Sequence, residues 1–140
     1  MEQYTIYCTK GQINKALELG APIELDFQFN YKTAIINHKA YIVPTAEQMI
    51  GWLERQGLVI IDTFIVTDLI YDHLSWYSYR LRFPWGKEKY NEIKYNSRRE
   101  ATLAAIDAAF DYLSKKQLIV NILRKYYICH IASQLAFEHF

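Results

Sequence analysis

The sequence predicts a single α+β domain in which a small, mainly antiparallel sheet packs on helices. Three helix-start patterns, two stretches of alternating apolar and polar residues and one β-branched run indicate this fold class. The predicted element order is α-β-β-α-β-β-(β)-α-α. The chain of 140 residues fits one domain, because half that length would bury too little core to be stable.

The first predicted helix begins at a capping box. Thr9 and Gln12 have the spacing in which each side chain satisfies a backbone N–H group of the other residue. Gly20 and Pro22 supply a stop, because glycine ends helices and proline cannot continue them. We therefore expect a helix from about residue 10 to 19.

A strand is expected next, at residues 23–30, where apolar and polar residues alternate strictly. The alternation places these apolar side chains on one face: Ile23, Leu25, Phe27 and Phe29. Residues 33–43 contain two short apolar runs about a turn at 37–39, which indicates a hairpin or one interrupted strand.

A second capping box, Thr45 and Gln48, predicts a helix over about 46–56 that ends at Gly57. The apolar, β-branched run at 58–66 follows. A run of this kind is typical of a strand covered on both faces, so we expect it in the middle of the sheet.

Alternation returns at residues 75–83 and predicts a strand with one packed and one solvated face. The packed face holds Tyr77, Tyr79, Leu81 and Phe83, and the solvated face holds Trp76, Ser78, Arg80 and Arg82. After a turn at 84–86, residues 90–95 are expected to form a further strand.

The last part of the chain is expected to be helical. Ser97 and Glu100 form a third capping box before an Ala-rich run, which predicts a helix over about 98–114. In the last predicted helix, residues 118–140, apolar residues occupy nearly every side, while Arg124 and Lys125 interrupt it too strongly for a membrane span.

A helix that is apolar on so many sides must complete the core or self-associate, and a symmetric dimer would cover the exposed surface. The expected interface consists of Ile119, Ile122, Leu123, Ile131, Leu135 and Phe137. The periodicity of the elements also predicts a core. Its expected members are Leu25, Phe27, Phe29, Ile50, Leu53, Ile61, Leu81, Leu103, Ile106 and Phe110.

No pattern of catalytic or metal-binding residues is recognisable. The chain has no Gly-x-Ser-x-Gly elbow, and its five glycines do not form a phosphate-binding loop. Two local groups contain potential metal ligands. They are Asp68, Asp72 and His73, and Cys129 with His130, and neither group has the spacing that lets ligands converge on one metal ion. We therefore expect no enzyme activity, no cofactor and no metal.

The location is predicted from the start of the chain and the cysteines. The first residues lack the positive start and apolar segment of a signal peptide, and Cys8 and Cys129 are far apart in sequence. These features favour a reducing cytoplasm.

Residues 76–99 carry seven basic side chains against two acidic ones. Exposed aromatic rings stack on unpaired bases while arginine and lysine contact phosphates, so this segment is a candidate RNA or DNA surface. Its candidate residues are Trp76, Arg80, Arg82, Lys87, Lys89, Arg98 and Arg99. A solvated hairpin without a partner is the alternative interpretation.

Three helix patterns carry a resemblance to known proteins. They are Gln12-x-x-x-Ala16-Leu17-x-x-Gly20-x-Pro22, Pro44-Thr45-x-x-Gln48-x-x-x-Trp52-Leu53 and Glu100-Ala101-x-x-Ala104-Ala105-Ile106-x-x-Ala109-x-x-Tyr112-Leu113. In this order they resemble small uncharacterised proteins that phages, prophages and related mobile elements of gut bacteria encode. The resemblance covers about residues 10–114 and implies a fold and a genomic setting, but no functional residues.

The leading functional hypothesis is a non-enzymatic binding or accessory protein of mobile-element origin that acts through protein contacts, as a homodimer. The alternative is a nucleic-acid-binding protein that uses residues 76–99. A continuous basic face would favour the alternative, and an apolar face on the last helix would favour the first hypothesis.

Overall fold

The computed structural model describes residues 5–56, 59–67, 75–83, 86, 88–90 and 93–138. These residues form three helices and five strands: α1 (Lys10–Glu18), β1 (Thr33–Ile36), β2 (Lys39–Ile42), α2 (Ala46–Arg55), β3 (Ile60–Thr67), β4 (Ser75–Arg82), β5 (Glu88–Tyr90) and α3 (Arg98–Glu138). The strands form two small antiparallel sheets. The predicted α+β class is confirmed, and the element types follow the predicted order up to the end of the chain, where one helix replaces the two that were predicted.

The chain divides into two compact units, residues 1–110 and 111–140. The segments predicted as two helices, 98–114 and 118–140, form the single helix α3, which passes through this division. Residues 114–117 contain no glycine or proline, so nothing in the sequence stops the helix there. We call residues 111–138 the tail helix.

Two of the three predicted capping boxes are present in full, at the starts of α1 and α2. At the start of α3 the Ser97 hydroxyl accepts a hydrogen bond from the Glu100 N–H at 3.1 Å, and the Glu100 side chain accepts one from the Asn96 N–H at 3.3 Å. The Thr9 hydroxyl accepts a hydrogen bond from the Gln12 backbone N–H at 3.2 Å, and the Gln12 side chain accepts one from the Thr9 N–H at 3.0 Å. Thr45 and Gln48 repeat these two bonds at the same distances. The side chains thereby satisfy N–H groups that a helix start leaves unpaired.

Gln12 also connects α1 to the first half of α3. Its side chain is only 1% exposed, and its amide nitrogen donates to the Leu103 carbonyl at 2.9 Å and to Asp107 Oδ1 at 3.1 Å. A buried amide is tolerated when its donors and acceptor are paired. The same residue therefore caps one helix and fixes its position against another.

The predicted hairpin is formed by β1 and β2. Their register runs from Thr33 opposite Ile42 to Ile36 opposite Lys39. Asn37 and His38 at the turn both have positive φ, 50° and 64°, as a tight two-residue turn between twisted strands requires.

The strand predicted over 23–30 is wrong. Leu25 makes only an isolated bridge to Tyr41, while Phe27 and Phe29 are 84% and 64% exposed instead of buried. The reason is Asp26, whose buried carboxylate accepts hydrogen bonds from backbone and side-chain groups later in the chain. Bonds of this kind bend the chain into a loop and replace a strand ladder.

The second sheet has the order β3-β4-β5, so β4 is its middle strand. The prediction that the run at 58–66 lies in the middle was wrong. Ile60 and Ile65 of β3 are about half exposed. β-branched residues favour a strand whether or not both of its faces are covered, so the run did not indicate a central position. Ser78 of β4, which was expected on the solvated face, is buried.

The core of the first unit confirms half of the predicted members. Leu53, Ile61, Leu81, Ile106 and Phe110 are buried, and Leu25, Ile50 and Leu103 are intermediate. Helix α3 also contributes three fully buried alanines to this core: Ala101, Ala105 and Ala109. Small residues on one side of a helix let neighbouring elements approach closely, so these alanines belong to the packed face.

Candidate interaction surfaces

Arg80 and Arg82 lie on one face of β4 and share a carboxylate. Arg80 Nη2 donates to Asp62 Oδ2 at 3.1 Å, and Arg82 Nε lies 3.0 Å from the same oxygen. Asp62 is directly opposite Arg80 in the β3–β4 register. The sequence analysis missed Asp62, because it is the one acidic residue within an apolar run.

Tyr90 of β5 lies on the other side of Arg80. The Arg80 guanidinium is 5.9 Å from the centre of the Tyr90 ring, within the range of a cation–π contact. Tyr90, and secondly Asp62, raise the pKa of Arg80 above its usual value, because their hydrogen bonds favour the charged guanidinium. The Tyr90 hydroxyl in turn donates to Glu88 Oε2 at 2.6 Å.

Trp76, at the start of β4, carries a second cation–π contact. Lys94 Nζ lies 4.3 Å from the centre of its ring. Lys94 is held there because the neighbouring Tyr95 exchanges two backbone hydrogen bonds with Tyr77, at 2.8 and 3.0 Å. One face of the Trp76 ring is therefore already in contact with a cation.

The structure separates the remaining residues of the predicted nucleic-acid surface. Lys89 is opposite Leu81, so it lies on the other face of the sheet from Arg80. Arg98 and Arg99 are exposed at the start of α3, and Lys87 lies outside the described residues. The strand cluster, defined as Trp76, Arg80 and Arg82 with their contacts, therefore includes two carboxylates, Asp62 and Glu88, that offset part of its positive charge.

The tail helix exposes large apolar side chains between residues 119 and 131. Their exposed fractions lie between 37% and 73%, and the residues are Ile119, Ile122, Leu123, Tyr126, Tyr127, Ile128 and Ile131. Four of the predicted interface residues are in this set. The side chains of the other two, Leu135 and Phe137, lie outside the described part of the structure.

A third surface, which the sequence analysis did not predict, is the loop at residues 27–31. This aromatic loop exposes Phe27, Phe29 and Tyr31. Asp26 fixes its shape: the carboxylate accepts from the Asn30 N–H and the Tyr31 N–H, each at 3.1 Å, and from the Thr33 hydroxyl at 2.7 Å.

These hydrogen bonds affect the acidity of Asp26. The Thr33 hydroxyl, followed by backbone N–H groups of the loop, lowers the pKa of Asp26 below its usual value, because hydrogen bonds to a carboxylate favour its charged form. An aspartate inside an alternating run is the signal that could have indicated a loop, since aspartate is rare in strands and common in turns.

A cleft of about 340 Å³ lies beside α2. Met49 and Trp52 of α2 line it together with the chain at 21–24, and Glu24 and Arg55 contribute charged groups. Its volume is at the lower end of the range of small-molecule pockets, which suits one apolar side chain or a small ligand.

Two kinds of reactive group are relevant among the described residues: metal-ligating side chains and a cysteine nucleophile. In these residues no group of three metal-ligating side chains converges, and Asp68, Asp72 and His73 lie outside the described ranges. Burial, and secondly the charge of Asp107, raise the pKa of the Cys8 thiol to about 12. Cys8 is therefore protonated at neutral pH and a poor nucleophile.

None of the helices in the described ranges combines the length and the apolar character needed to cross a bilayer. No protein-family model, no curated protein and no solved structure matches the chain. The surfaces described above therefore carry the functional proposal.

Proposed function

We propose that this protein is a non-enzymatic binding protein that acts through protein–protein contacts and associates with itself through the tail helix. The observation that carries the proposal is the exposure of seven large apolar side chains between residues 119 and 131. The strand cluster supports it indirectly, because Arg80 and Arg82 already have the Asp62 carboxylate as a partner.

The size of the exposed surface favours a partner. Large side chains that are about half exposed present roughly 100 Å² each, so seven of them approach the upper limit of about 600 Å² for the largest apolar patch of a monomer, or exceed it. Removing such a surface from water is favourable at about 25 cal/mol per Å². A second copy supplies a matching surface, and a symmetric dimer is the simplest assembly that covers it.

The aromatic loop is a second candidate contact, for a different protein. Aromatic side chains dominate the binding energy of many interfaces, because they bury a large area and lose few rotatable bonds. Phe27, Phe29 and Tyr31 have this character, and the Asp26 hydrogen bonds order their backbone before binding. Preordering of this kind lowers the entropic cost of association.

Sedimentation velocity over a wide concentration range tests the self-association. We expect the full chain to sediment as an assembly, and a version that ends at Lys116 to sediment as a monomer. Circular dichroism and a cooperative denaturant transition of the shortened chain serve as controls for folding. A full chain that stays monomeric at high concentration would contradict the proposal, and a shortened chain that still assembles would assign the interface to another surface.

The proposed setting is the cytoplasm of a bacterium that carries a phage or a related mobile element. The helix patterns about Gln12, Thr45 and Glu100 support this origin, and the free thiols of Cys8 and Cys129 suit a reducing compartment. The genomic neighbourhood tests the setting: flanking phage structural, regulatory or anti-defence genes would support it, and a conserved position among housekeeping genes would contradict it.

Nucleic-acid binding is the second candidate, and exposed cations favour it. Arg98 and Arg99 are exposed at the start of α3, and the cation Lys94 lies against Trp76. Fluorescence anisotropy with short RNA and DNA tests this function. It predicts an affinity that falls as salt rises and that falls again in an Arg98→Ala, Arg99→Ala double variant, whereas Lys39→Ala serves as an exposed control. Absence of binding at low salt would refute it.

A further inference from the structure

The cleft beside α2 opens where two extended segments diverge. The Ile42 N–H donates to the Glu24 carbonyl at 2.8 Å, so the chain at 24–26 pairs with β2. Before Glu24 the chain turns away from β2, because the Ile23 N–H donates back to the Ala21 carbonyl at 2.9 Å. This divergence leaves room for the cleft, and residues of both segments line it.

The divergence leaves two backbone groups unpaired within the described part of the chain. In a strand the N–H and C=O groups of one residue point to the same side, so the Ile42 carbonyl faces the segment at Glu24, as its N–H does. No described residue donates a hydrogen bond to this carbonyl, and none accepts one from the Glu24 N–H. Both residues line the cleft, so one acceptor and one donor are available to a ligand.

The deeper lining of the cleft is apolar and comes from α2. Met49 and Trp52 are three positions apart, so they share one side of the helix, and they are only 3% and 9% exposed. Ile42 and Pro44 add apolar surface. A volume of about 340 Å³ corresponds to about ten water molecules, so it suits a ligand of about ten non-hydrogen atoms.

Two charges of opposite sign belong to the exposed part of the lining. Glu24 and Arg55 are both exposed, and neither forms an ion pair with the other or with a further described residue. Arg55 follows Trp52 by three positions, so it lies on the same side of α2. Its Nη1 is 3.4 Å from the position that a Cβ atom would take at Gly51, so the guanidinium lies along the helix.

These groups distinguish between classes of small ligand. A purely apolar molecule would leave the unpaired backbone groups of Ile42 and Glu24 without partners, and burying such groups unpaired is unfavourable. A simple anion would be repelled by the Glu24 carboxylate, and a simple cation by Arg55. A zwitterion with an apolar side chain satisfies both charges, both backbone groups and the apolar lining.

We propose that the cleft binds a free α-amino acid with an aliphatic side chain of about the size of leucine. The ligand side chain packs on Met49 and Trp52. The ligand carboxylate pairs with Arg55 and accepts from the Glu24 N–H, while the ligand ammonium pairs with the Glu24 carboxylate and donates to the Ile42 carbonyl. This binding does not involve the tail helix, so it goes beyond the proposed self-association and applies equally to a monomer.

Isothermal titration calorimetry of the full chain tests the site with free L-leucine as the probe. Two analogues separate the charges of leucine: 4-methylpentanoate lacks the ammonium group, and isopentylamine lacks the carboxylate. We expect one leucine to bind per chain, and both analogues to bind at least about tenfold more weakly. The melting temperature is expected to rise with leucine concentration, which gives a second readout.

Charge-removing variants assign the binding to the cleft. Arg55→Gln and Glu24→Gln should each weaken leucine binding at least about tenfold, because each removes one charged hydrogen-bonding partner. Lys39→Gln and Glu47→Gln are matched controls, since they remove the same charges from exposed residues that do not line the cleft. Isopentylamine has no carboxylate to lose, so it should bind Arg55→Gln as weakly as it binds the wild type. Circular dichroism checks the fold of each variant.

Three results would overturn the proposal. The first is absence of both leucine binding and a rise in melting temperature at about 10 mM leucine, a concentration that reveals even millimolar affinity. The second is an equal affinity for leucine and either analogue, which would exclude the assigned charge contacts. The third is an affinity that Arg55→Gln and Glu24→Gln leave unchanged, which would exclude the cleft as the site. Sedimentation of the same chain measures the self-association separately.

Discussion

The two halves of α3 are continuous in backbone but opposite in environment. In the first half, residues 98–110, a face that includes Ala105, Ile106 and Phe110 is completely buried in the first unit. In the tail helix, residues of equal or larger apolar area, such as Leu123 and Tyr126, are mostly exposed. Local helix-forming tendency therefore does not determine burial, which depends on whether another surface lies against the helix.

The composition of the halves accounts for the difference. The first half alternates alanines with single large residues on its buried side, so other parts of the unit can approach closely. Between residues 119 and 131 the tail helix has large apolar residues on several sides, and they are exposed. The contrast teaches that apolar residues on one side of a helix suit packing within one unit, whereas apolar residues on several sides exceed what one such contact covers.

Core truncation is expected to show the largest difference between the halves. Phe110→Ala should lower the free energy of unfolding by about 3–5 kcal/mol, because it leaves a cavity in a fully buried site. Tyr126→Ala in the tail helix should change it by less than about 0.5 kcal/mol at protein concentrations where the chain is monomeric. Urea unfolding measures both values. Equal losses for the two variants would contradict the assigned difference in burial.

The two cysteines report on the same contrast. The pKa of Cys8 rises from 9.0 to about 12, which reduces its thiolate about a thousandfold at neutral pH, and Cys8 is also buried. Cys129 on the tail helix is exposed. Single-thiol variants, Cys129→Ala and Cys8→Ala, should therefore differ by at least about a hundredfold in reaction rate with a disulfide reagent at pH 8. Similar rates would mean that the first unit opens readily around Cys8.

The two capping boxes allow a matched test of the contact between α1 and the first half of α3. Gln12→Ala removes the capping bond and the two hydrogen bonds to Leu103 and Asp107, so we expect a loss of about 2–3 kcal/mol. Gln48→Ala removes only a capping bond on an exposed residue and should cost about 1 kcal/mol or less. Thermal and urea unfolding give both values, and equal losses would mean that the buried bonds contribute nothing net.

The smallest expected change in the free energy of unfolding concerns the aromatic loop. In this loop a buried polar group, the Asp26 carboxylate, orders exposed apolar residues. The folded state lowers the pKa of Asp26, so its charged form contributes stability at neutral pH that is lost as pH falls below about 5 and through the lowered pKa. The stability difference between the wild type and Asp26→Asn should therefore shrink between pH 6 and pH 3. Glu24→Gln is a control on an exposed neighbour. A difference that is constant with pH would contradict the assigned hydrogen bonds.

Local patterns predicted most of the fold. The Thr9–Gln12 and Thr45–Gln48 boxes located two helices almost to the residue, since capping depends only on neighbours in sequence. The strand at 23–30 was mispredicted because the Asp26 carboxylate accepts hydrogen bonds from groups as far along the chain as Thr33. The alternation of apolar and polar residues gives no information about these hydrogen bonds. The position of β3 in its sheet was mispredicted because the strands that pair with it, and the elements that cover its faces, lie elsewhere in the sequence.

The candidate surfaces were predictable to different degrees. Apolar residues on many sides of one helix indicated the tail surface, and the predicted interface residues Ile122 and Leu123 are exposed. The basic segment was visible in sequence, but its pairing with Asp62 was not, because the partner belongs to another strand. The aromatic loop was missed altogether, since exposed Phe27 and Phe29 have the same spacing as buried strand residues.

The loop around Asp26 has a consequence for how this protein can change over generations. Its backbone shape depends on the Asp26 carboxylate, the Thr33 hydroxyl and main-chain N–H groups, and not on packing of its aromatic side chains. Substitutions at Phe27 or Tyr31 can therefore change the exposed surface of the loop while these hydrogen bonds are kept, whereas Phe29 has a positive φ of 53°, which β-branched residues tolerate poorly. Such a loop is a suitable position for randomised residues in a selected library.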